Sequence, residues 1–164
     1  MKKYLNLIVT ILFIILQVTL FSRVRIFGLN INFALICVIV VASFADSKVS
    51  LLNAVMAGIL YDVYSCHNVG LNLIMFSIIA VLMMLIVKFM YKGSVISTVV
   101  FTAIFTIITE LILYFLTFLS SGNSYNSIMV VKVILPQAII NSFFSFVVFY
   151  LFKLFNKEKN KYRY

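Results

Sequence analysis

The sequence predicts an all-α integral membrane protein with six transmembrane helices, on three observations. Of its 164 residues, 65% are hydrophobic and only 10% charged, with a mean hydropathy of +1.20; a soluble domain carries about 25% charged residues. The apolar residues come in continuous runs, not in the apolar/polar alternation of a barrel strand. One Pro and five Gly leave little room for loops, so helices must fill the length.

A spanning helix needs about 20 apolar residues. The first span is predicted over 5–22, behind Lys2 and Lys3, with Gln17 and Thr19 as its polar points. It has the outline of a signal peptide, but no small-residue cleavage site follows and further spans do, so it reads as an uncleaved helix. The stretch 23–32 forms a connector carrying Arg23 and Arg25, with Gly28, Asn30 and Asn32 as breakers. The second span, 31–45, and the third, 49–64, are short and joined by the polar turn Asp46-Ser47-Lys48. Short segments are accommodated by local thinning of the bilayer or by burial among neighbours. A re-entrant hairpin would place Lys48 deep in the membrane, which is costly. A polar turn precedes the fourth span, 71–89, which ends near Lys88 and Lys92. The fifth span covers 95–119, and an uncharged loop follows. The sixth covers 133–155, behind an interfacial turn with Lys132, and a basic tail, 156–164, closes the chain. The whole is one transmembrane domain over 1–155.

Lys and Arg in the short loops set the orientation. With both termini in the cytoplasm, Lys2, Lys3, Lys48, Lys88, Lys92, Lys153, Lys157, Lys159, Lys161 and Arg163 lie inside, and Arg23, Arg25 and Lys132 outside. The net charge of +9 therefore reflects topology and a tail that rests on anionic lipid, not a nucleic-acid surface.

The motifs exclude more chemistry than they suggest. There is no G-x-S-x-G, no H-E-x-x-H and no P-loop. Cys37, inside an apolar run, reads as a small packing residue. Cys66-His67 has no further His or Cys nearby to complete a tetrahedral metal site. Asp46 and Asp62 sit at opposite ends of one span, too far apart to share a proton. No catalytic residue, metal or cofactor is expected.

What remains is a set of polar and small residues inside apolar helices. Ser50, Ala54 and Gly58 recur every fourth residue, with Asp62 next on the same face. Such a strip lets another helix approach closely, and a lone carboxylate in a span needs a partner, a watery edge or a function. The strip is a candidate helix-packing or partner interface, a place for a partner's single helix. The fifth span carries Thr98, Thr102, Thr106, Glu110 and Tyr114. The sixth carries Gln137, Asn141 and Ser145 just after Pro136. With the predicted topology, Asp62, Glu110, Pro136, Gln137 and Asn141 all fall in the outer half and are expected to meet in one intramembrane cluster. As interhelical glue, such contacts average about 0.6 kcal/mol each; the rival reading is a pocket for a polar ligand.

Taken in order, these pieces resemble the MreD family, rod shape-determining membrane proteins of bacteria. The stretch Ala57-Gly58-Ile59-Leu60-Tyr61-Asp62 followed by Gly70-Leu71-Asn72 resembles the family's centre, Thr109-Glu110-Leu111 its fifth-helix glutamate, and Pro136 with Asn141 its last-helix pattern. The likeness covers essentially the full length and departs at Asn32-Phe33, where many relatives have a Pro-Asp or Pro-Arg type start to the second span. It implies a non-catalytic scaffold of the cell-wall elongation machinery. The partners implied are MreC, the actin-like MreB, the glycosyltransferase RodA and a class B penicillin-binding protein. It also implies a fold like the substrate-binding subunits of vitamin transporters, and a subunit of such a transporter is the alternative function.

Overall fold

The structure, a computed structural model, describes residues 5–17, 19, 29, 31–65, 70–89, 93–121 and 127–156. Every regular element among them is a helix: α1 (Leu5–Leu16), α2 (Phe33–Phe44), α3 (Ser47–Ser65), α4 (Leu71–Phe89), α5 (Val95–Ser121) and α6 (Ser127–Asn156). Arg23, Arg25, Cys66, His67 and the tail beyond Asn156 lie outside the described residues. Three stretches are long and apolar enough to cross a membrane on their own: Leu71–Phe89, Val95–Leu119 and Lys132–Leu154. The other three helices are shorter or less apolar, and packing explains why.

α2 is apolar on all sides, and a helix of that kind belongs in an interior. Its 12 residues reach only about 18 Å at 1.5 Å per residue, against the roughly 30 Å of a hydrocarbon core. Every residue from Ile31 to Ser43 is buried, and α2 packs against all five other helices. The run is short because its surroundings are protein rather than lipid.

Two hairpins flank this central helix. α3 packs most extensively on α4, and α5 on α6. At Gly58 the α3 backbone lies so close to α4 that a Cβ would stand 2.4 Å from the Leu73 Cα; only glycine permits that approach. The turn into α5 is fixed by Gly93, whose N–H donates to the Ser43 carbonyl at 3.1 Å. Its φ of +73° is a conformation that other residues rarely adopt.

Two apolar clusters fill the space around α2. One joins Ile14, Leu35, Val38 and Ile39 to Ala54, Ala57, Phe76, Met83 and Phe105. The other is aromatic and ties α1 and α6 to α2. Phe13 stacks on Phe33 (centroids 5.7 Å apart), Phe144 meets Phe33 edge-on at 5.5 Å, and Phe44 meets Phe149 at 4.5 Å. Each such pair contributes about 0.5–1.5 kcal/mol beyond area burial.

Candidate functional site

A helix leaves its first four N–H groups without intrahelical partners. Away from water those groups must find acceptors. Two helices begin inside this bundle, α2 and α4, and buried polar residues gather at each N-terminus in two separate nodes.

The first node is built by Asp62. Its Oδ1 accepts from the Asn72 backbone N–H at 3.0 Å and the Asn72 Nδ2 at 2.9 Å. Its Oδ2 accepts from the N–H groups of Gly70 and Leu73, both at 3.0 Å. A carboxylate offers about four acceptor sites, and these donors engage both of its oxygens. Asp62, only 3% exposed, thus caps α4 from the last turns of α3, and its negative charge faces the positive end of the α4 dipole. Gly58, one turn earlier, allows the approach that brings these donors within reach.

The strip leading to Asp62 is turned inward. Ser50 and Ala54 are both 0% exposed, Ala54 sits in the apolar cluster with Phe76 and Ala80, and Gly58 backs onto α4. The helix that the strip accommodates is therefore the chain's own α4. All four residues of the strip are buried within the chain.

The second node surrounds the N-terminus of α2. Asn32 caps its own helix, its Oδ1 accepting from the Leu35 N–H at 3.0 Å. The Ala34 N–H donates to the Gln17 Oε1 at 3.2 Å, and the Asn32 N–H to the Asn141 Oδ1 at 3.1 Å. Asn141 in turn donates through Nδ2 to the Thr106 hydroxyl at 3.4 Å. Three amide side chains, one just past α1, one from α6 and one at the start of α2, thus close one helix end without introducing a charge. One turn away, the Gln137 Nε2 donates to the Glu110 Oε1 at 2.7 Å, while Pro136 is half-buried within α6. Tyr61 of α3 borders this node beside Gln17 and Glu110.

The expected single cluster is therefore divided. Glu110, Gln137 and Asn141 stand around α2, and Asp62 stands apart at α4. The reason is helical geometry: consecutive residues point about 100° apart, so Asp62 turns to the start of α4 while Tyr61 lies between Phe76 of α4 and the α2 node. Gln17 and Asn32 belong to the second node although sequence reasoning left them as a polar point and a breaker. The signal that finds them is a buried, uniformly apolar helix whose start needs acceptors. Asn53 on α3 is a further buried amide, 0% exposed, with no hydrogen-bond partner for either side-chain atom among the described residues.

At the other end of α2, a cleft of about 210 Å³ lies between the α2–α3 turn and the end of α4, lined by residues including Ala42, Asp46, Ser47 and Lys88. Along α5, Thr102 and Ser145 share a hydrogen bond at 2.9 Å, extending the polar contact between α5 and α6 toward that end. The two nodes consist of acceptors matched to helix-end donors and of amide pairs; their chemistry is that of holding helices in register.

The family model for the rod shape-determining protein MreD matches residues 1–158. No curated protein and no solved structure matches the chain.

Proposed function

The chain belongs to the MreD family of rod shape-determining proteins, and from that premise we propose that it is a non-catalytic scaffold of the cell-wall elongation machinery. In this reading it sits in the bacterial cytoplasmic membrane with six spans and both termini in the cytoplasm. It binds MreC and, through that complex, links MreB inside the cell to RodA and a class B penicillin-binding protein. The basic tail rests on anionic lipid of the cytoplasmic leaflet.

The observation that supports a scaffold is the use made of the buried polar groups. Asp62, Gln17, Asn32 and Asn141 are each engaged in fixing one helix against another. A rigid bundle presents constant outer faces, which is what recognition by partner helices requires. The test is affinity purification of the tagged chain from its own membranes in mild detergent, with mass spectrometry of the companions. A single-span MreC-like protein and wall synthases are the expected companions. Recovery of a transporter ATPase with its coupling subunit would overturn the reading and turn the α2 node into a ligand site.

A further inference from the structure

α5 presents three lines of side chains, and one of them does not suit lipid. Thr98, Thr102, Thr106 and Thr109 are buried against the bundle. Ile104, Ile108, Leu111, Phe115 and Phe118 are exposed and wholly apolar, as a lipid-facing surface should be. Between these lies a third line, Ala103, Ile107, Glu110, Tyr114 and Thr117, with alternating spacings of four and three residues that keep it straight along the helix. Its first four residues are half-buried and Thr117 is exposed. It carries a carboxylate and a phenol, and a Thr117 hydroxyl that donates back to the Tyr114 carbonyl at 2.8 Å, on a helix whose main neighbours are α6 and α2.

Glu110 is the under-supplied member. Asp62 shows how this fold treats a carboxylate that is purely structural: four donors for two oxygens. Glu110 receives one hydrogen bond, from Gln137, and no described Lys or Arg forms an ion pair with it. A carboxylate inside a span is costly unless paired. Glu110 also lies about 16 Å from the end of α5 at 1.5 Å per residue, too deep for a lipid headgroup amine resting at the interface. A straight seat of about 21 Å with a carboxylate in its middle fits a helix that brings its own cation.

We propose that the line from Ala103 to Thr117 is the seat of a partner's transmembrane helix, and that a Lys or Arg of that helix pairs with the Glu110 carboxylate. The proposal rests on the scaffold reading and names its contact surface. Interhelical polar contacts of this kind act as glue in membranes, and a cation at Glu110 also dictates the depth at which the partner helix sits.

The test uses the full chain in its own membranes, with a photo-crosslinking residue placed at Ile107 or Tyr114 and, for comparison, at Ile108 or Phe115. Crosslinks to a partner's span are expected at the first pair and not at the second. Glu110→Lys should lower partner recovery about tenfold, equivalent to about 1.4 kcal/mol, and exchanging the basic residue of the crosslinked helix for Glu should restore it. Glu110→Gln keeps the bond to Gln137, so its recovery should fall while its unfolding midpoint stays unchanged; a midpoint that falls with recovery would overturn the seat. Equal crosslinking from both faces, or full recovery with Glu110→Lys, would overturn the seat and leave the scaffold reading standing. Failure of the unaltered chain to recover any partner would overturn both.

Discussion

Replacing Asp62 with Leu removes the acceptor of four donors, and the structure sets the size of the loss. Asn72 is only 4% exposed, so its backbone N–H and its side-chain amide have no water to turn to. Each buried donor left unsatisfied costs about 1–3 kcal/mol. Gly70 and Leu73 are half-buried and can be hydrated, leaving the loss of a helix cap, about 0.5–2 kcal/mol. The expected destabilisation is therefore about 3–8 kcal/mol. Asp62→Asn should be milder, about 1–2 kcal/mol, because its remaining oxygen still serves Asn72 while its new amide faces the Gly70 and Leu73 donors. The chain has no Trp and two Cys, so a thiol-reactive dye is the natural probe. With Cys66 replaced by Ser, the fully buried Cys37 reports unfolding in detergent. At roughly 2–4 °C per kcal/mol, Asp62→Leu should lower the midpoint by about 6 °C or more, with Asp62→Asn in between. Equal loss for both variants would refute the hydrogen-bonding account and indicate a need for charge; no loss for either would refute the cap itself.

Four further outcomes follow from particular contacts. Gly58→Leu should disrupt the α3–α4 pair and with it partner recovery, whereas Ser127→Leu at the first residue of α6 should not; even Gly58→Ala, whose Cβ meets backbone at 2.4 Å, should lower the melting midpoint. Asn141→Leu leaves the Asn32 N–H and the Thr106 hydroxyl without their partner and should cost about 2–4 kcal/mol, read by the same dye. Asn53→Leu should be neutral or stabilising, since replacing an unpartnered buried amide by an apolar group leaves no donor orphaned; a midpoint loss as large as that of Asn141→Leu would contradict the environment described for Asn53. Thr102→Val and Ser145→Ala should show a coupling of about 0.6 kcal/mol in a double-mutant cycle, and strictly additive effects would exclude a shared bond.

The chain's composition already determines helices in a membrane, because continuous apolar runs with so few charges have no other stable arrangement. The regular spacing of Ser50, Ala54 and Gly58 likewise announces a close helix contact, and the isolation of Asp62 announces a partner. The identity of that partner is not local information. The donors at Gly70, Asn72 and Leu73 become neighbours only when α4 folds back along α3.

The same holds for the stripe on α5. Residues every four positions advance about 40° per step on a helix of 100° per residue. Thr98, Thr102 and Thr106 are therefore buried, while Glu110 and Tyr114 wind toward the half-buried edge. A pattern of fours in the sequence looks like one face; on the helix it crosses from one to another. The central place of α2 was decided by tertiary structure alone. Being apolar on every side, it has no amphipathic direction to reveal which neighbours surround it. Only their assembly turns its bare N-terminus into the point where Gln17, Asn32 and Asn141 must meet, since buried N–H groups require acceptors and no water is there to supply them.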